Sequence, residues 1–270
     1  MKEKVVGTKL GQALLEVSHW MSLRKIPLSN PEQASSVANG ILADRLIQRI
    51  CVPGGTFLDV GAHIGSVLAS VHSFNKKVDI CAFEADPSKA QILRKKFPFC
   101  RLFEVAVGES EGRAEFFLNP KASGYNSLVS QSATDQPTIS VRVAALDDLL
   151  PDGQVDVIKI DIEGAELGAL RGGENLIRRN KPTIMFESVG TGINSLGYSP
   201  ALLWEWFNDM EYAIFTPDRL AHNAPSLGLE AFLDAHEYPF RTHNYFAVSR
   251  DRRTEIRDRA REIIGVRPSR

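Results

Sequence analysis

Phe57-Leu58-Asp59-Val60-Gly61-Ala62-His63-Ile64-Gly65 is the stretch on which the reading of the fold turns. An apolar, strand-like run from Thr56 ends in a glycine, and Ile64, Val67, Leu68 and Val71 then follow at helical spacing. Gly61 lets the backbone turn tightly, and Gly65 allows a ligand or a strand to approach the start of the helix. The N–H groups exposed at such a helix end favour a carboxylate or a phosphate. The spacing is G-x-x-x-G, not the G-x-G-x-x-G of dinucleotide folds, and no Gly-Lys-Ser/Thr follows to make a P-loop. A strand-to-helix turn that merely needs small residues would read the same way, so the segment takes its meaning from its surroundings.

Strands and helices alternate downstream. Val78 to Glu84 reads as a strand, Pro87 to Phe97 as a helix with proline in its first turn, and Arg101 to Val107 as a third strand. Two β-like segments, Gly112 to Leu118 and Ile139 to Leu146, flank a polar piece, Asn119 to Pro137, long enough for an active-site loop. The alternation resumes with a strand at Val155 to Ile162, a helix at Ala165 to Arg179 and a strand at Thr183 to Val189. Leu202, Leu203, Trp206, Phe207 and Met210 mark one helix face, and Tyr212 to Thr216 and Asn244 to Ser249 read as closing strands. This pattern predicts a mostly parallel sheet covered by helices on both faces. Upstream, Leu10, Leu14, Leu15 and Val17 suggest an amphipathic helix that breaks at Ile26-Pro27-Leu28-Ser29-Asn30-Pro31. Ile41, Leu42, Leu46, Ile47 and Ile50 suggest a second, ending at Val52-Pro53-Gly54-Gly55. The chain thus divides into a helical extension (1–53), a sheet domain (54–249) and a terminal helix (250–270).

With 270 residues, 43% hydrophobic and 24% charged, the chain has enough apolar content for a single large core. That composition excludes a disordered, collagen-like or disulfide-stapled protein. No apolar run approaches ~18 residues, so no transmembrane helix is expected, and the N-terminus shows no signal-peptide pattern. Cys51, Cys81 and Cys100 are too scattered for a zinc knuckle and suit buried thiols in the cytoplasm. The net charge of −1 conceals two unlike parts. Residues 250–270 carry eight arginines against four acids, while the remainder is acidic. Ile256, Ala260, Ile263 and Ile264 make this tail an amphipathic basic helix, either docked on the domain edge or free to meet a partner or an anionic surface. An acidic body weighs against nucleic acid as a partner, and the N-terminal helices offer a surface for a homo-oligomer.

Three strand ends carry acids. Glu84 closes the second strand about 20 residues after the glycine turn, where a carboxylate can accept hydrogen bonds from both hydroxyls of a ribose. Asp161 and Glu163 emerge from Val157-Ile158-Lys159-Ile160-Asp161-Ile162-Glu163-Gly164-Ala165-Glu166, at the edge where open α/β sheets bind ligands. Glu187, in Phe186-Glu187-Ser188, adds a further carboxylate to that edge. Helix capping explains one acid here, but not several together with a lysine inside an apolar strand.

In order, FLDVGAHIGS, AFEADP, EVAVGESEG, GYNSLV, VAALDDLL, VDVIKIDIEGAELGALRGGENLI and PTIMFE run from about Gly55 to Val189. This series resembles the FkbM-type S-adenosylmethionine-dependent methyltransferases, most specifically in KIDIEGAE followed by LRGGENLI. The family usually has Asn where this chain has His63, and Pro where it has Ala85. The resemblance implies a class I methyltransferase (Rossmann-like) α/β fold: a seven-stranded, mostly parallel sheet with the last strand antiparallel. It further implies that Asp59, Gly61 and Gly65 line the methionine end of the cofactor, and His63, at the departing position, is a further cofactor-binding candidate. Glu84 would hold the ribose, and Val105 and Ala106 would lie near the adenine.

Methyl transfer from a sulfonium is an in-line displacement, so the protein mainly positions the nucleophile and removes its proton. Asp161, Glu163 and Glu187 are the acids expected to face the acceptor. A divalent ion held by them stays open as an alternative to an unaided base, and no metal is assigned. Asn126 and Ser127, in the polar loop, are candidates for contacting the acceptor. The resemblance points to O-methylation of a hydroxyl on a sugar, glycan or polyketide-like small molecule. Methylation of nucleic acid or protein, and a cofactor-binding scaffold without catalysis, are the competing readings.

Overall fold

β1 (Thr56–Val60) is buried from Phe57 onward because both of its faces are covered. The computed structural model describes residues 5–119, 126–129, 137–190 and 192–266. Within them β1 pairs in parallel with β2 (Asp79–Phe83) on one side and β7 (Val157–Ile160) on the other. β3 (Arg101–Phe103) extends the sheet beyond β2, and β8 (Thr183–Glu187) extends it beyond β7. β10 (Asn244–Ser249) then runs antiparallel between β8 and β9 (Tyr212–Phe215). The order β3-β2-β1-β7-β8-β10-β9 is therefore a seven-stranded sheet closed by one reversed strand.

Alternation along the strands feeds two cores. Leu58, Val60, Ile158, Ile160, Ile184 and Phe186 face α5 (Leu146–Leu149), α6 (Glu166–Arg171), α7 (Glu174–Asn180), α8 (Pro200–Asp209) and α10 (Leu229–Asp234). Phe57, Ile80, Val157, Met185 and Phe246 face the opposite layer. That layer comprises α2 (Ala34–Ile50), α3 (Ser66–Phe74), α4 (Pro87–Lys96), α9 (Pro217–Leu220) and α11 (Arg253–Ile264). Each fully buried aromatic such as Phe57 or Phe186 contributes ~1.5–3 kcal/mol of transfer free energy. Leu46 and Ile47 of α2 and Ile256 and Ala260 of α11 sit in the same apolar cluster as β1. Both terminal segments thus complete the sheet's cover.

The basic face of α11 is occupied by its own protein. Arg253 donates to the Leu220 carbonyl (2.8 Å), Arg261 to the Ala221 carbonyl (2.8 Å) and Arg259 to the Arg49 carbonyl (3.3 Å). Arg252, just before the helix, donates to the Lys181 carbonyl (2.8 Å). These guanidinium groups satisfy carbonyls at the C-terminal ends of α2, α9 and α7, where cations also complement the helix dipole.

Four local readings change. The first helix, α1 (Lys9–Ser29), runs on through Pro27, and the break falls at Asn30–Pro31. Its Leu10, Leu14, Leu15 and Val17 are exposed, so that apolar row is not a core face. The predicted strand 101–107 splits after Phe103, and Ala106–Val107 becomes β4, paired with β6 (Thr138–Ala144). β6 also pairs with β5 (Gly112–Phe117), giving a small second sheet. The predicted helix 165–179 breaks at Gly172–Gly173. There Asp147 caps the new helix, accepting from the backbone N–H groups of Asn175 (3.0 Å) and Leu176 (2.7 Å). Most of the polar loop 119–137 lies outside the described residues, as do Arg267–Arg270.

Gly172 has an ordinary helical backbone, but a Cβ there would lie 1.9 Å from the Gly108 carbonyl oxygen. Gly40, inside α2, has open space around the same position. Gly172→Ala should therefore cost at least ~2 kcal/mol of unfolding free energy. Gly40→Ala should add ~0.5–1 kcal/mol. Denaturant melts of the two variants check this pair, and equal effects would refute it.

Candidate active site

The C-terminal ends of β1, β2, β7 and β8 open onto a cavity of about 400 Å³. Its floor is the β1–α3 turn. Gly61 and Ala62 both donate their backbone N–H to the Phe83 carbonyl (3.0 Å), tying the turn to β2. Gly61 has φ +80°, and a Cβ on it would lie 2.0 Å from the Asp161 carbonyl oxygen, so only glycine lets the two loops meet. His63 follows in the left-handed region (φ 50°) and donates its backbone N–H to Glu84 (2.7 Å). The other Glu84 oxygen accepts from the Asp86 N–H (2.8 Å). Glu84 is buried, and burial pushes its carboxyl up to about 7 despite both hydrogen bonds. Burial likewise holds the His63 imidazole below its usual range, with Lys89 and Lys159 adding to the effect.

Between β1 and β7 lies a buried ammonium. Asp59 and Lys159 are register partners on neighbouring parallel strands, so their side chains point the same way. Lys159 Nζ lies 3.3 Å from Asp59 and 3.3 Å from Asp161, and donates to the Gly61 carbonyl (2.9 Å). Burial opposes the charge on Lys159, but Asp161 and Asp59 more than offset it, and the group is held well above the ordinary lysine value. Burial pushes Asp59 up, and Lys159 counters this only in part.

The acids of β7 leave the strand on a turn with two positive-φ residues, Glu163 (56°) and Gly164 (98°). One neighbouring and two distant side chains hold that turn. Glu166 accepts from the N–H groups of Ile162 and Gly164 (3.1 Å each), Ser127 donates to the Glu163 carbonyl (2.8 Å), and Asn194 donates to the Gly164 carbonyl (2.7 Å). Carboxylate oxygens of Asp161, Glu163 and Glu187 then lie within 4.8 Å of one another. That is close enough for their titrations to be coupled, and the all-oxygen set also suits a hard divalent cation. Burial first, and then Asp161 and Glu163, push the Glu187 carboxyl up to about 9. The opposite end of the cavity is apolar, walled by Val105, Ala106, Val107, Phe116 and Leu128 from the small sheet and its neighbours.

Of the residues nominated from sequence, Gly61, His63, Glu84, Val105, Ala106, Asn126, Asp161, Glu163 and Glu187 line this one cavity. Asp59, Gly65 and Ser127 are not part of its lining. Asp59 sits beneath it, against Lys159. A Cβ on Gly65 would lie 2.4 Å from the Phe97 ring, so this glycine serves packing against the end of α4. Ser127 is buried, and its hydroxyl serves backbone groups of residues 129, 162 and 163. Asn126 reaches the cavity while bonded to Asp86 (3.2 Å) and to the Asn119 N–H (2.7 Å). Lys159 was visible as a lysine inside an apolar strand, but its role was not. Glu166 stands in the run 157–166, but its service to the turn backbone was not legible there, and Asn194 and the buried Lys89 carried no sequence signal.

A seven-stranded sheet closed by one reversed strand, with its cavity at the parallel strand ends, is the class I methyltransferase architecture. The Methyltransferase FkbM domain family matches residues 59–214, and the chain belongs to that family, whose methyl donor is S-adenosylmethionine. The chain is 26% identical to 2-O-methyltransferase NoeI of Sinorhizobium fredii over 65% of its own length and 79% of that protein's. Among solved structures it is similar to methyltransferase FkbM from Methylobacillus flagellatus: 21% identity, 73% of this chain and 44% of that one, TM-score 0.45. It thus spans less than half of that chain. A precorrin-6y C5,15-methyltransferase from Geobacter metallireducens is 17% identical, covering 65% of this chain and 72% of that one, with TM-score 0.38.

Buried acids impose a pH dependence on stability. Glu84 and Glu166 are each pushed up by burial to about 7, from 4.5 when unfolded. Between those values the folded state binds more protons than the unfolded one, so stability falls as pH rises. Melting temperature should drop between pH 5 and pH 8. Glu166→Gln keeps an oxygen for Ile162 and Gly164 and removes the buried charge. It should be neutral at pH 5 and stabilising by ~1–3 kcal/mol at pH 8. An equal loss at both values would refute the argument.

Proposed function

We propose that the chain is an O-methyltransferase acting on a hydroxyl of a sugar, glycan or polyketide-like small molecule, with S-adenosylmethionine in the 400 Å³ cavity. The observation that carries this reading is the polarity of that cavity: an apolar recess at one end, a carboxylate trio at the other, and Glu84 between. An adenine suits the recess formed by Val105, Ala106, Val107 and Phe116. Glu84 keeps one lone pair on each oxygen for the ribose hydroxyls, and the β1–α3 turn faces the methionine portion. A sulfonium group held in this way would lie at the end of the cavity that carries Asp161, Glu163 and Glu187. That NoeI is a 2-O-methyltransferase agrees with a hydroxyl acceptor. Three free thiols suit a reducing compartment, the cytoplasm.

An aliphatic hydroxyl needs a base as its oxygen attacks the methyl carbon. Glu187, raised by burial and then by its neighbours, receives the acceptor's proton once its own has left. Asp161, 3.3 Å from the Lys159 ammonium, orients the pair. The sulfur takes the bonding electrons of the departing methyl, so the donor loses its positive charge during the step.

Calorimetry with S-adenosylhomocysteine should show micromolar binding, weakened ~10–100-fold in Glu84→Ala as two hydroxyl contacts are lost. No heat at millimolar ligand would sink the reading. With a working acceptor, Glu187→Gln should lower kcat ~10²–10⁴-fold at unchanged cofactor affinity. Wild-type kcat should rise with pH along a limb near 9, since the base must be deprotonated. Glu163→Gln removes one neighbouring negative charge, so it should move that limb to lower pH. If a chelator abolished turnover, the coupled-titration account of the trio would give way to a bound cation.

A further inference from the structure

α1 meets the rest of the protein with its more polar side. Gln12, His19, Ser22 and Ile26 are half-buried, and His19 Nε2 lies 3.5 Å from Asp44 of α2. At ~100° per residue these four share one face of the helix. On the opposite face, Leu10, Leu14, Val17, Met21 and Leu28 are between 50% (Leu14) and 88% (Leu28) exposed. Arg24, exposed as well, falls in the same row, so its positions follow one another at alternating intervals of four and three residues. That is the repeat of a coiled-coil seam, a stripe narrower than the ~100° face that a helix buries in a core. Leu15, Trp20 and Leu23, also exposed, lie off the row. A helix lying on lipid turns a broad apolar face to the bilayer and its polar face to water, whereas the polar face of α1 is occupied by α2. None of these residues lines the cavity at the strand ends.

We propose that this row is the interface of a homodimer in which α1 packs antiparallel on α1 of a second copy. The six positions are symmetric about His19. A two-fold axis there sets Leu10 opposite Leu28, Leu14 opposite Arg24 and Val17 opposite Met21. Every layer of the seam is then filled by the same surface on both copies, so the row is its own complement. The charge on Arg24 fixes the direction. A parallel pair would set two guanidinium groups against each other, whereas the antiparallel pair sets each beside a leucine. Arg24 Cζ lies 4.4 Å from the centroid of the Trp20 ring, so the charge is already turned off the row and the aliphatic stem is left to cover Leu14. The seam runs the ~30 Å length of α1. It stands apart from the cavity and from the reading of its chemistry.

Sedimentation velocity of the full chain from ~1 to ~100 µM tests this. The wild type should reach twice the monomer mass of 29.9 kDa. Val17→Glu puts a carboxylate into both central layers and should weaken the dimer at least ~100-fold, with the circular dichroism of the wild type retained. Arg24→Leu takes the charge out of the seam and should tighten the dimer ~10-fold, a change of sign that loss of folding cannot imitate. Direction is read by oxidation of cysteine variants. The double variant Leu10→Cys, Leu28→Cys should form a covalent dimer. Leu10→Cys alone should not, because in the antiparallel pair the two copies of that position lie ~27 Å apart along the seam. If Val17→Glu fails to fold, Arg24→Leu and the cysteine variants decide the matter. A wild type monomeric throughout, a Val17→Glu dimer as tight as the wild type, or a covalent dimer from Leu10→Cys alone would overturn the proposal. So would a monomer that sediments with vesicles of phosphatidylcholine and phosphatidylserine, which would make the row a lipid contact.

Discussion

Lys159 is the contact on which the rest of the site depends. One ammonium, almost wholly buried, meets a carboxylate from β1, a carboxylate from the turn after β7 and the carbonyl of Gly61. Desolvating a charge is tolerable only when its partners are fixed, and removing one partner of a buried pair costs ~3–5 kcal/mol. The two loops that form the cavity floor and its acidic end are thereby locked to each other. A neutral, isosteric side chain at 159 would leave Asp59 buried without a counter-charge. It would also release the Gly61 carbonyl that fixes the β1–α3 turn. Stability and site geometry share this one interaction, so neither can be altered without the other.

The rest of the site is held by groups that never face the cavity. Glu166, Ser127 and Asn194 come from a helix, a loop and a distal turn, and all three bond to the backbone of residues 162–164. That backbone contains a non-glycine residue at positive φ, Glu163, a conformation costing ~1–3 kcal/mol unless its surroundings enforce it. The strain aims Glu163 at Asp161 and Glu187, bringing three like charges together. Burial first, and like charges after it, favour retention of a proton on Glu187, which is how an acidic cluster can contain a base suited to an alcohol.

Much of the sheet was legible because its signal is local. Apolar runs of four to seven residues ending in glycine or acid mark β1, β2, β7 and β8, and the acids fall at the edge where the cavity opens. What was not legible depends on contacts across the sequence. The helix expected over 165–179 is broken because Asp147 caps its second half and Gly108 crowds Gly172. The strand expected over 101–107 is divided because Ala106 and Val107 find partners in β6, which periodicity cannot reveal. The same limit applies to the site. Asp59, Gly65 and Ser127 carry chemically suggestive identities, yet they serve an ion pair, a packing contact and a backbone clamp. Residue type shows what a group can do, whereas its partners decide which of those things it does.

Charge conservation links the two ends of the proposed reaction. A sulfonium donor enters bearing +1, and after transfer the thioether is neutral while one proton has been released to the trio. The acidic end would therefore attract the donor and lose that attraction as soon as the methyl has moved. Asp59 takes no part in this change because Lys159 already balances it. The sulfonium is left to be matched by carboxylates whose charge the reaction itself alters. Lys159 offsets only one of its two carboxylate partners, so that arrangement alone would already favour the cationic donor over the neutral product. The additional acids, Glu163 and Glu187, would widen that difference.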